Sequence, residues 1–144
     1  MNELSLWGVK DIVKPTAAKL GIDENLMRVD GYTTNGYWMI KSEFEPKFMR
    51  SIRDNDKKPG LKIIFDRAQR ATIQVEVLNE LRFEGNLMIK VGNKDFFSWV
   101  NVAFLSMFAN LNKKLTFYQE DARGQIVVRD GEQFIGVIMP INIY

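Results

Sequence analysis

Residues 95–144 constrain the fold of this chain more than any other stretch. They open with Phe96-Phe97-Ser98-Trp99-Val100-Asn101-Val102-Ala103-Phe104-Leu105-Ser106-Met107-Phe108-Ala109-Asn110-Leu111. That run is too apolar for a surface segment and too long for one strand, so it predicts a largely buried helix. Three strand-like runs follow: Lys114 to Gln119, Gly124 to Arg129, and Phe134 to Ile143. A helix followed by three antiparallel strands is an α+β half-unit, with the helix covering one sheet face.

The chain upstream prepares the same arrangement. Leu6 to Val13 reads as a short helix broken by Pro15, and Thr16 to Leu20 as a turn stopped by Gly21. Trp7 is either a staple docking that segment on the core or part of a partner-binding arm. Leu26-Met27-Arg28-Val29 and Thr34 to Ile40 read as two strands, with Asn35-Gly36 as the hairpin signal. Glu45 to Asn55 predicts a helix, since Pro46 near its first turn and the acid ahead of it both favour an N-terminus. Phe48, Met49 and Ile52 fall on its core side, and Lys47, Arg50, Arg53 and Lys57 form a basic stripe at three- and four-residue steps on the other. From Lys41 to Arg70 nine Lys or Arg stand against five Asp or Glu, a local excess of four. The stripe has two readings, a solvated helix face or a row of phosphate contacts, which require only cations at suitable spacing.

Beyond Pro59-Gly60, strands are expected at Leu61 to Phe65, at Ala71 to Val77 with its clean alternation, at Leu81 to Glu84, and at Leu87 to Val91 after the Gly85-Asn86 turn. The order from residue 37 onward is strand, helix, several strands, helix, three strands. That is an internal duplication of a βαβββ type.

Composition removes several functions. With no cysteine there is no disulfide framework and no thiolate metal site. With no histidine there is no Ser-His-Asp catalysis, no His-ligated zinc and no usual general base near neutral pH. Asp54 with Asp56, or Glu120 with Asp121 near Asp130, are the only acids worth considering for a carboxylate metal site, and acids at turns usually face solvent. We therefore expect no enzyme, no metal and no cofactor. The 144-residue chain carries a net charge of only +2, so the total says little about nucleic acid. No apolar run approaches the roughly 18 residues of a membrane span and no secretory leader is visible, so a soluble cytoplasmic protein is expected.

The C-terminal run also resembles a known family. Val100-Asn101-Val102-Ala103-Phe104-Leu105, Leu115-Thr116-Phe117, Ile126-Val127-Val128 and Gly136-Val137-Ile138-Met139-Pro140-Ile141 are similar, in this order, to the end of a bacterial DNA polymerase sliding clamp. That family closes with an Asn-Val helix, three strands and a terminal Met-Pro run. Thr34-Asn35-Gly36-Tyr37-Trp38-Met39 is similar to its Thr-Asp-Gly loop, with Asn in place of Asp.

The resemblance implies one clamp-like α+β domain over residues 29–144, preceded by an arm over 1–28. In it, duplicated βαβββ units place two helices side by side on one face of a curved antiparallel sheet. It implies a non-catalytic processivity factor that encircles or rests on duplex DNA and tethers a polymerase or other partner. Lys47, Arg50, Arg53 and Lys57, with Lys113 and Lys114 beyond the second helix, would contact DNA independently of sequence. Thr34, Gly36 and Met39 would face Val137, Ile138, Met139 and Pro140 across a partner-peptide groove. Family rings contain six domains, so a ring here implies a homo-oligomer of six chains. The alternative is a clamp-fold interaction module without DNA binding, serving as an adaptor, an inhibitor or a phage decoy.

Overall fold

In the computed structural model of the chain, the described residues are 15–21, 26–58 and 60–141. The expected helix Leu6 to Val13, with Trp7, lies outside them, as does the end of the last expected strand.

The first described element is α1, a single turn at Ala17–Leu20. Three short strands follow: β1 at Met27–Val29, β2 at Tyr32–Thr34 and β3 at Trp38–Lys41. The sequence predicts one hairpin here, but the chain turns twice. Asp30 and Gly31 both take positive φ (50° and 83°), the pairing demanded by a tight β1–β2 turn whose twist matches its strands. Asn35-Gly36 makes the second turn, and the Asn35 side chain fixes it: Oδ1 accepts from the Tyr37 and Trp38 N–H groups at 2.8 and 3.1 Å. Its Nδ2 donates to the Leu20 carbonyl at 2.7 Å, to which Trp38 Nε1 also donates at 3.0 Å. These bonds fasten α1 to the sheet, and a domain boundary after residue 28 falls inside β1.

The expected helix over Glu45–Asn55 is a 3-10 segment at Lys47–Ser51, preceded by another at Ser42–Phe44. Leu61 to Phe65, expected as a strand, begins the helix α2, Leu61–Arg70. Leu61, Ile64, Phe65 and Ala68 recur at i, i+3, i+4 and i+7 and turn inward, while Ile63 is left exposed. Ala71 to Val77 and Leu81 to Glu84 are not two strands but one long β4, Ile73–Glu84, with a register shift between Leu78 and Leu81. Then come β5 (Asn86–Gly92) and β6 (Phe97–Asn101).

β6 corrects the expectation of a single helix from residue 96. Ser98 and Val100 point inward while Phe97 is exposed, a period of two, and the helix α3 occupies only Val102–Ala109. Asn101 sets the change, because its Oδ1 accepts from the Ala103 N–H at 2.9 Å as an N-cap. Replacing Asn101 with alanine is expected to cost about 1 kcal/mol, read as a lower urea midpoint at unchanged slope. The chain ends its described part with β7 (Thr116–Gln119), β8 (Ile126–Asp130) and β9 (Gln133–Ile138).

The nine strands of the described residues join one antiparallel sheet in the order β1-β2-β3-β9-β8-β7-β4-β5-β6. The sheet curls until β6 meets the residue beyond β9, where the Ile141 N–H donates to the Trp99 carbonyl at 2.8 Å. Its concave face carries the main core, in which Trp38, Ile40, Val100, Phe117 and Val128 pack on Leu105, Met107 and Phe108 of α3. Met49 of the 3-10 segment joins this cluster. Of the two segments expected as helices, only α3 is an α-helix, and the other contributes Met49 to this core from a 3-10 turn. α2, unanticipated, covers the opposite face over Met39, Val127 and Val137. There Phe65 meets Tyr32 and Phe134 edge-on at 5.2 and 5.9 Å. Among the described residues no helix is long and apolar enough to cross a membrane.

Candidate functional site

The site is built on Arg28. From β1 its guanidinium reaches the Glu45 carboxylate through Nε (3.2 Å) and Nη2 (2.9 Å). It also donates to the Met49 carbonyl at 2.6 Å and the Ile52 carbonyl at 2.8 Å. Glu45 accepts a further bond from the Thr33 hydroxyl at 3.1 Å. The hydrogen bond that Arg28 donates to Glu45 raises the Arg28 pKa above its ordinary value, against the opposing effect of desolvation. One planar cation therefore ties residues 45–52 to the sheet edge, a geometry that lysine cannot reproduce. With Met49 held inward, Lys47 and Arg50 are left pointing to solvent, aligned because i and i+3 eclipse in a 3-10 helix.

The C-terminal end of α3 lies opposite. Lys113 sits with its ammonium 5.0 Å from the Phe44 ring centre and 3.6 Å from Asp130. Lys47, Arg50 and Lys113 thereby line one groove of about 480 Å³, over a floor that includes Phe44, Phe48, Met107 and Leu111. Two basic clusters some sixty residues apart in sequence meet here. Arg53, Lys57 and Lys114 are exposed but do not line the groove. The segment bearing Arg53 and Lys57 runs along β1, fastened by the Asn55 N–H to Leu26 O at 2.9 Å and by Lys58 Nζ to Arg28 O at 3.1 Å. Lys47, Arg50, Arg53, Lys57 and Lys114 form no ion pair among the described residues, which leaves them available to an anion.

The residues expected to wall a peptide groove are also brought together, but mostly inside the protein. β3 pairs with β9, setting Met39 against Val137 and Trp38 against Ile138, and the Met139 N–H donates to Tyr37 O at 2.8 Å. Met39 and Val137 are covered by α2, Ile138 lies in the concave core, and Thr34 is buried with its hydroxyl on the Trp38 carbonyl. Gly36, Met139 and Pro140 retain exposure. Met139 instead borders a cavity of about 260 Å³ shared with Arg67, Arg70 and Arg123. Sequence reasoning missed this arginine cluster because it read the start of α2 as a strand, although Arg67 and Arg70 stand at helical spacing. It also missed Arg28 and the apolar floor.

Asp54 pairs with Arg28 at 3.7 Å, Glu120 with Arg70 at 3.6 Å, and Asp121 Oδ1 accepts from the Arg123 and Gly124 N–H groups. Among the described residues no three acids cluster as metal ligands would. The chain matches no protein-family model, no curated protein and no solved structure.

Proposed function

We propose that this protein is a non-catalytic, sliding-clamp-like DNA tether that lays its cationic face on duplex DNA and holds a polymerase or other partner alongside. One observation carries the reading: Lys47 and Arg50 converge with Lys113 on one side of the molecule, with Arg53, Lys57 and Lys114 exposed nearby in sequence. Phosphate contacts need only cations held at a surface, and no base-reading side chain is required. In this reading the chain is one clamp-like domain of two βαβββ units. The succession β6, α3, β7, β8, β9 supports the second unit. A ring would require six copies, and a single copy would rest on the duplex instead. Gly36, Met139 and Pro140 supply the exposed part of the partner site.

The test is salt dependence of binding to a labelled duplex of arbitrary sequence. Three phosphate contacts give a log-log slope of about −2.7 per subunit. Lys47→Ala, Arg50→Ala and Lys113→Ala together should remove most of that slope while stability changes by about 1 kcal/mol, because Lys47 and Arg50 are exposed and the partly exposed Lys113–Asp130 pair contributes little to folding. Unchanged binding in the triple variant would remove the reading. A second reading, a clamp-fold interaction module without DNA binding, is favoured by the apolar floor of the groove, which a phosphodiester backbone does not use.

A further inference from the structure

The groove between the 3-10 segment and the end of α3 has more than a cationic rim. At about 480 Å³ it falls within the size range of ligand pockets, and its floor is supplied by side chains from both segments. Phe48 lines it while 38% exposed, a large apolar ring left partly in water. We propose that this groove is a docking site for a short acidic, apolar peptide segment of a partner protein, with apolar anchors on the floor and carboxylates on Lys47, Arg50 and Lys113.

Charge complementarity selects the occupant. Glu45 at the groove is already neutralised by Arg28, which leaves Glu43 on the lining and Asp130, 3.6 Å from Lys113, against the three cations. The floor argues for side chains rather than bases. Phe44 already has the Lys113 ammonium over its ring, and beside Phe48 the rest of the floor is Met107 of α3 and Leu111 just beyond it, flexible or aliphatic surfaces that accept leucine-like anchors better than stacked rings. An amphipathic helix offering residues at i, i+3, i+4 and i+7, with acids between them, satisfies both requirements. Such a peptide would share its cations with DNA, so its binding would also displace duplex from this face. The inference goes beyond DNA tethering and stands without it.

The experiment is fluorescence anisotropy with a labelled synthetic peptide carrying Leu and Phe at that spacing and Glu and Asp between. A second peptide has every acid changed to its amide, and labelled oligo(dT) and the labelled duplex serve as comparators. Micromolar binding of the acidic peptide is expected, weakened about tenfold by Phe48→Ala, which corresponds to about 1.4 kcal/mol. The amide peptide should bind several-fold less tightly, and the salt slope for duplex should be the same in Phe48→Ala as in the wild type. No saturable peptide binding, or binding indifferent to Phe48→Ala in a protein of unchanged melting temperature, would overturn the proposal. Oligo(dT) binding that Phe48→Ala weakens more than it weakens the peptide would reassign the groove to single-stranded nucleic acid. Duplex binding without peptide binding sinks this inference alone. Peptide binding without duplex binding sinks the tether and leaves the docking site standing.

Discussion

Arg28→Ala is expected to lose about 3 kcal/mol of stability and, with it, most of the organisation of the cationic face. The guanidinium makes four hydrogen bonds, two to Glu45 and one each to Met49 and Ile52. Removing it strands the Glu45 carboxylate, which is only 7% exposed, with the Thr33 hydroxyl as its remaining partner. Breaking a buried pair by deleting one member costs about 3–5 kcal/mol, and the lower end applies because the Arg28 side chain keeps 23% of its exposure. Deleting both partners should cost less than the sum of the single losses, by about 1 kcal/mol or more, since no charge is then left unpaired. Urea unfolding of the two single variants and the double variant measures this. Losses that simply add would show that Arg28 and Glu45 do not act as a pair.

Gly136→Ala is expected to be as damaging through sterics alone. A Cβ at this position would lie 2.1 Å from the Met39 carbonyl oxygen, 2.9 Å from Phe108 Cε1 and 3.0 Å from Ile40 Cα. The first and last are backbone of the paired strand β3, which cannot move aside without breaking its register with β9. Overpacking a core usually costs about 1–3 kcal/mol, and a backbone clash belongs at or above the top of that range. Gly60→Ala is the control, since nothing lies within 4 Å of its added Cβ. Gly60 occupies the N-cap of α2, where glycine is favoured over alanine, so the change should cost no more than about 1 kcal/mol. Equal thermal midpoints for Gly136→Ala and the wild type would mean that β3 and β9 are not packed as described.

How far the fold is legible in the sequence depends on which signal each segment carries. β8 and β9 follow from β-branched runs punctuated by Gly124 and Gly131, and Asn35-Gly36 marks a real turn. Asp30-Gly31 carries the same chemistry between the two expected strands, and the reading of a single hairpin at Asn35-Gly36 leaves it out. α2 was misread because Leu61-Lys62-Ile63-Ile64-Phe65 is rich in β-formers. Extended to Ala68, its buried positions show the helical period instead, and local propensity gives way to the pattern that buries the right face. Residues 96–101 failed in the opposite way: a continuous apolar run concealed the inward alternation of Ser98 and Val100, and Asn101 was the available marker of the helix start. The site was half legible. The cations could be named one by one, but their meeting depends on where the end of α3 falls against the 3-10 segment, a tertiary fact that no local pattern encodes. The peptide-groove residues failed for a related reason, since α2 buries Met39 and Val137 where a strand would have left them open.

The most direct measurement of the central claim is an amide-resolved NMR titration of the protein with a short duplex at low salt. The account predicts that amides of residues 44–53 and 110–114 shift together on one binding curve and return together as salt is added. Shifts confined to one of the two segments, or centred instead on Arg82, Lys90 and Trp99 across β4–β6, would contradict it.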